Sequence, residues 1–578
     1  MLPVVRAISL VLMTLVLVHT TSGQTPQDAR ITVAHPGFSL LKSDLKQTID
    51  LTTPVEQKQW ENIQGYIDTF IIGIDETREV QVQVMTGIHP EGYLICVPLL
   101  AATDPSKAFR ENLDSLGYRI MRNPTDRTMY TIESDANEYG WMKVDAESHY
   151  AFFMITTEKA LLPQLKAIVL KAALTPTKLS DNMIAELKNS DASAAAITHR
   201  VNAFKPIRDE NMALIKQRPD ERATEFALRQ SSARQLYGEA EDIMSQADQL
   251  LITLTMDRSK AAAPKVNLRT TATALPGTPM EATIAQYGTQ SDAFAGLQRL
   301  KGSALSLRSS HPLDEARKKN LKETLTLTRA DIDAALTANK TRSDAEKIAF
   351  KKFVAGVVSV LESSVDSGHL NGFVESVPDG KDRFTTVAAY VSPTAADLTQ
   401  ILPLLTDAGK GNAVQMNVEK VGDVDIHKIK IAEGSISLFD RVFGIQSDLF
   451  IGIGPQKVWM AAGQDGLATL KSTVTAVGEP AVNPVVFRVD ANMLPWAKRI
   501  DEVAKKEKTG VQTADEEKLS RERARVRERA IAALVTDDDF SFVITTEGGM
   551  WVGDFTGNTG LLRFAGKMMS AFSKENFE

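Results

Sequence analysis

Ser39-Leu-Leu-Lys42 and Ser43-Asp-Leu-Lys46 each set a serine three residues before a lysine. A serine oxygen is a weak nucleophile until a neighbouring base takes its proton, and an amine beside it is one such base. Ser180-Asp-Asn182 and Lys508-Thr-Gly510 follow in chain order. Other reactive groups are sparse. The single cysteine, Cys96, lies in Tyr93-Leu-Ile-Cys-Val-Pro-Leu-Leu100. Its apolar neighbours predict a buried strand thiol rather than a nucleophile, and a lone thiol makes no internal disulfide. His35, His89, His149, His199, His311, His369 and His427 form no His-Glu-x-x-His pair or close ligand cluster, so no metal site and no cofactor is assigned. His149, His199 and His427 fall in or beside expected strands and read as structural. Asp490, Asp501 and Asp537-Asp-Asp539 could supply acid and base carboxylates, but nothing in the sequence selects a pair. No catalytic, cofactor-binding or metal residue is therefore assigned.

In their order, the serine and lysine runs resemble the three motifs of serine β-lactamases and penicillin-binding proteins. The resemblance implies Ser39 as nucleophile, Lys42 as its activator and Lys508-Thr-Gly510 as the strand flanking the acyl site. The surroundings argue otherwise. Lys508 to Gly510 sits in a charged helix-loop-helix stretch between Val503 and Lys518. Ser180 precedes Met183-Ile-Ala-Glu-Leu187 and reads as the cap of a helix. Gly452-Ile-Gly454-Pro455 lacks the third glycine and the Gly-Lys-Ser/Thr ending of a phosphate loop. Its flanks, Asp448 to Ile451 and Lys457 to Met460, predict a hairpin.

The elements that must position these groups come in duplicate. Slid along itself by 290 residues, the apolar pattern from Trp60 to Val97 falls on that from Phe350 to Val387 without a gap. Phe38-x-x-Leu41 and Phe294-x-x-Leu297 extend the match at an offset of about 256, which leaves about 30 extra residues in the second copy. An additional helix at about 313–340 accounts for them. In this alignment Ser39 and Lys42 meet Ala295 and Gln298, so the second copy lacks the pair.

Each copy begins with an amphipathic helix (Trp60, Ile63, Ile67, Phe70 in the first). Glu79 to Val84 alternates with period two, which predicts a strand with one buried and one wet face. Tyr93 to Leu100 predicts a strand buried on both faces, with Phe384 to Val391 as its counterpart. Short helices follow at 104–116 and 393–405. Strands Met129–Ile132 and Val424–Ile429, then Tyr150–Ile155 and Val458–Ala461, lead into helices at 158–169 and 464–474. Ile197–Asn202 is matched with Val486–Asp490 as a further strand. Long charged helices cover Arg222–Leu250 and Asp515–Leu534. The first carries a stripe of Ala233, Leu236, Ala240, Ile243, Ala247 and Leu250. The fold class expected is α+β, in two tandem pseudo-repeated units. Each unit is a mostly antiparallel sheet with packed amphipathic helices and one long charged helix. The units cover 24–290 and 291–578.

Residues 1–23 read as a signal peptide. Arg6 supplies the positive end, Ile8 to Val18 the apolar stretch, and Thr21-Ser22-Gly23 the small residues before cleavage. An uncleaved anchor is the alternative, and no later run is long enough to span a membrane. A secreted or periplasmic location follows. Net charge is −7 over 578 residues, with no basic cluster interleaved with aromatics, so nucleic-acid binding is disfavoured.

The run Val458-Trp-Met-Ala-Ala-Gly-Gln-Asp-Gly-Leu-Ala-Thr-Leu-Lys471, with Leu275-Pro-Gly-Thr278 and the leader, resembles a family of large exported bacterial proteins of the planctomycete type. The resemblance implies neither an activity nor site residues. The function expected is that of an exported, non-enzymatic binding or cell-envelope interaction protein with a protein or envelope partner. The alternatives are a carrier of an apolar ligand such as lipid and, third, a serine hydrolase of penicillin-binding type.

Overall fold

The computed structural model of the protein describes residues 30–85, 92–100, 117–134, 137–156, 158–175, 177, 183–189, 191–218, 221–257, 263–379, 383–409, 411–430, 448–506, 514–535 and 538–577. The expected leader and the expected helix at 104–116 lie outside these residues. The fold is α+β, as expected, and the chain forms two compact units. Unit 1 takes residues 1–214, 237–281 and 562–578, and unit 2 takes 215–236 and 282–561.

Unit 1 contains β1 (Arg30–His35), β2 (Val80–Met85), β3 (Tyr93–Pro98), β4 (Arg119–Arg122), β5 (Met129–Ser134), β6 (Asn137–Asp145), β7 (Tyr150–Ile155), β8 (Met183–Lys188), β9 (Ala247–Asp257) and β10 (Lys265–Ala274). They pair antiparallel in the order β4-β5-β6-β7-β3-β2-β1-β8-β9-β10. Helices α1 (Phe38–Asp50), α2 (Pro54–Gln57) and α3 (Trp60–Phe70) join β1 to β2. Helix α4 (Leu162–Leu170) packs on β6 and β7. It closes a core of Leu94, Cys96, Met129, Phe152, Met154 and Leu165. Helix α5 (Ala194–Leu214) follows β8, and the long helix α6 (Ala223–Gln246) leads into β9. Helix α7 (Pro279–Gln286) follows β10.

Unit 2 opens with β11 (Ser291–Asp292), which pairs with the short β19 (Ala481–Val482). Its main strands are β12 (Leu305–Pro312), β13 (His369–Pro378), β14 (Phe384–Val391), β15 (Ala413–Val421), β16 (Val424–Lys430), β17 (Leu449–Ile453), β18 (Lys457–Ala462), β20 (Val485–Asn492), β21 (Asp539–Glu547) and β22 (Met550–Gly557). They pair antiparallel in the order β15-β16-β17-β18-β14-β13-β12-β20-β21-β22. Helices α8 (Glu315–Ala338) and α9 (Asp344–Asp366) join β12 to β13. Single turns cover Leu398–Ile401 and Leu404–Asp407. Helix α10 (Gly466–Ala476) covers β14, β17 and β18, while α11 (Met493–Lys506) pairs with α12 (Ala514–Ala533). The last helix is α13 (Thr559–Phe577). The expected hairpin around Gly452 to Pro455 is the β17–β18 pair.

The structure corrects several expectations. The strand at Glu79–Val84 has no wet face, because Gln81 and Gln83 are each 1% exposed. Residues 173–175 cover that face and are hydrogen-bonded by the two amides. Gln81 Nε2 donates to the Thr175 carbonyl at 2.6 Å, its Oε1 accepts from the Thr175 amide at 3.1 Å, and Gln83 Nε2 donates to the Ala173 carbonyl at 3.0 Å. Buried polar atoms are tolerated when they are paired in this way. Met183–Lys188 is strand β8, not a helix for Ser180 to cap. Ile197–Asn202 lies in helix α5, so its match with strand β20 fails, and His199 is helical. The stripe on α6 is interrupted. Leu236 is 70% exposed, while Ser231 is buried.

The helix expected at 313–340 is present as α8. It stands between β12 and β13. Phe38–Leu41 is helical and Phe294–Leu297 is a turn, so those two runs are not equivalent.

Candidate functional site

The serine–lysine pair is built on the first turns of α1. Gly37 precedes that helix, with its backbone against the Glu76 carbonyl. A Cβ there would lie 2.4 Å from that oxygen, so glycine is required. The approach lets the Ser39 amide donate to Glu76 O at 3.0 Å and draws the Glu76 side chain over the helix. Lys42 Nζ is then held between Asp68 at 3.0 Å and Glu76 at 2.5 Å. Burial alone would lower its pKa, but the hydrogen bonds and charges of the two carboxylates raise it. A clamped ammonium is a poor proton acceptor. Ser180–Asn182 and Lys508–Gly510 lie outside the described residues.

Cys96 is fully buried at the centre of the unit 1 core, and burial pushes its thiol up to about 12. It is a core residue, as its neighbours predict. His427 is also fully buried. Its Nδ1 accepts from the Asn417 amide at 3.0 Å, which fixes the proton on Nε2, and Nε2 has no hydrogen-bond partner. His311 and His369 sit at paired ends of β12 and β13. The first bonds Pro312 O and Tyr287 Oη, and the second bonds Ser310 Oγ. Burial lowers the pKa of all three imidazoles. Among the described residues no group of His, Cys, Asp and Glu is placed to hold a metal ion.

The candidate carboxylates are likewise occupied. Arg488 holds Asp490 through Nε at 2.6 Å and Nη2 at 3.1 Å. Asp501 pairs with Lys505 of its own helix at 2.6 Å and links α11 to α12 through Arg527 at 3.4 Å. Asp538 caps α11 by accepting from the Leu494 amide, and Asp537 lies outside the described residues. The carboxylate that sequence reasoning missed is Glu375 on β13, which is fully buried. Ser306 Oγ donates to its Oε1 at 2.6 Å, Arg308 lies 3.5 Å away, and its Oε2 has no partner. Only strand register discloses this group, because Ser306 lies opposite both Glu375 and Asp490.

Two sheet faces are better shaped for binding than any of these groups is for catalysis. In unit 2, Phe487 and Val489 of β20, Phe540, Phe542 and Ile544 of β21, and Phe555 of β22 share one face. The register places Val489 opposite Phe542, and Phe542 opposite Phe555. All six side chains are only half-buried. The Phe487 and Phe542 rings stand 6.4 Å apart, and Phe540 and Phe555 stand 5.8 Å apart. In unit 1, Leu254 and Met256 of β9 lie opposite Leu268 and Val266 of β10, again half-buried. Such contiguous, partly covered apolar faces mark binding surfaces more often than isolated exposed residues do.

No protein-family description, curated protein or solved structure matches the chain.

Proposed function

We propose that this is an exported, non-enzymatic binding protein that engages a protein or envelope partner through the apolar faces on β20–β22 and β9–β10. The half-buried phenylalanine face of unit 2 carries this reading. The clamped Lys42 ammonium and the inaccessible Cys96 thiol favour binding over acyl transfer. The leader pattern at residues 1–23 supports secretion or a periplasmic location. No described helix is long and apolar enough to cross a membrane. Purification of the protein from its native envelope fraction, followed by native mass spectrometry, tests the reading. A protein partner lost on Phe542→Asp supports it. A partner retained by that variant, or fluorescent penicillin captured by Ser39, overturns it.

The breadth of the aromatic face favours a second reading, a carrier of an apolar ligand such as lipid. In the same experiment, a bound lipid in place of a protein supports that alternative.

We also infer that the units are copies of one ancestral unit. Numbered from the start of either unit's main strands, both sheets run fourth, fifth, sixth, seventh, third, second, first, eighth, ninth, tenth. The register supports the same reading. Val80 and Leu370, matched at an offset of 290, face His35 and His311 across their ladders. The offset there is 276, so the two helical connections differ in length.

A further inference from the structure

Helix α13 follows β22 of unit 2 through Asn558 alone, yet its residues from Leu562 onward belong to unit 1. The face it buries there is unusual. A helix on a core ordinarily buries its large apolar residues. Here Gly566, Lys567, Ser570 and Ser573 are buried, while Phe564, Met568, Met569 and Phe572 stay half-buried. The buried positions recur at three- and four-residue spacing and form one stripe. Their partners lie at the end of α1, on α2 and just before α3. Arg563 Nε donates to Leu51 O at 3.2 Å. Lys567 Nζ reaches both Glu56 carboxylate oxygens, at 3.0 and 2.9 Å. Ser570 Oγ donates to Glu56 O at 3.3 Å, and Ser573 Oγ donates to Gln59 Oε1 at 3.0 Å. A Cβ on Gly566 would lie 2.4 Å from Thr48 O, so glycine alone permits this approach.

We propose that the surface formed by Thr48, Thr52, Glu56 and Gln59 is a helix-binding groove, filled in cis by α13 and able to take the same helix from a second copy of this chain. Three observations carry the assignment. Recognition is polar and directional, resting on a buried ammonium, two hydroxyls and a backbone close approach rather than on broad apolar area. The occupant is tethered to β22 through Asn558 alone. It also completes a unit other than the one whose sheet it follows, which is the connectivity from which exchange of an element between identical chains arises.

The test uses the full chain with a sequence-specific protease site inserted at Asn558. After cleavage under native conditions, a fluorescent peptide of residues 559–578 is titrated in, and its anisotropy is read. Saturable binding that unlabelled peptide competes away is expected. Glu56→Gln in the protein should weaken it by roughly tenfold or more, because it leaves the buried Lys567 ammonium without its anion, and Lys567→Met in the peptide should also weaken it by removing the ion pair. Failure of the peptide to bind, or equal binding to the Glu56→Gln protein, overturns the proposal. The uncut Gly566→Leu protein gives a second reading by hydrogen exchange. Residues 48–59 and 563–573 should lose protection together while β12 to β14 keep theirs. Unchanged protection of 48–59, or its loss throughout both units, also overturns the proposal.

Discussion

Charge placement at single residues decides what the reactive side chains do. Lys42 shows this most directly. Its spacing from Ser39 suggests a nucleophile and its base, but Asp68 and Glu76 hold the amine protonated. Lys42→Met should lower stability by about 1 kcal/mol in urea denaturation, since it removes the cation between Asp68 and Glu76. Cys96 should resist a thiol reagent at neutral pH in the native protein and react at once in denaturant, because burial pushes its thiol up to about 12.

His311, His369 and His427 set an acid limit. Each has its pKa lowered from 6.5 by burial. The unfolded chain therefore binds more protons below that pH, and stability falls as pH drops through 6.5. Urea midpoints measured on either side of 6.5 should show the loss, and His427→Phe should reduce it. Glu56 adds to the acid loss at lower pH. Burial alone would raise its pKa, but the Thr53 amide and Lys567 lower it from 4.5. Its contribution is present above 4.5 and disappears as pH falls through the depressed value.

At the scale of elements, alternation and spacing identified strands β2, β3, β5, β7, β16, β17 and β18 and helices α4, α6, α10 and α12. They failed where a strand's second face is covered by its own chain. Gln81 and Gln83 read as solvent-facing, yet both amides secure residues 173–175 to the sheet. Gln83→Leu should cost about 1 kcal/mol, measured by thermal or urea unfolding, because the hydrogen bond to the Ala173 carbonyl is lost. Helix α5 was partly read as a strand because Ile197-Thr-His-Arg-Val is rich in β-branched residues, and tertiary context overrides so weak a preference. Helix α6 shows the converse. Its regular small and apolar stripe suggested one buried face, but its first half turns polar groups toward α8. Arg222 bonds Asp331 at 3.0 and 2.7 Å, and Ser231 bonds Glu323 at 2.9 Å.

At the scale of the molecule, the chain does not divide at a single point. Its final helix packs with residues 48–59 of unit 1, more than five hundred positions away in sequence. Deleting residues 559–578 should therefore destabilise α1 to α3 before the strands of unit 2, with hydrogen exchange as the readout. The sequence by itself determined the α+β class, the type of most elements and the buried character of Cys96. These follow from backbone periodicity and local apolar density, which act over a few residues. The tertiary structure alone decided strand neighbours, the burial of Glu375 beside Ser306 and Arg308, the clamp on Lys42 and the destination of α13. Each of those depends on groups far apart in the chain meeting across a sheet or a helix face, and no local pattern encodes which distant partner arrives there.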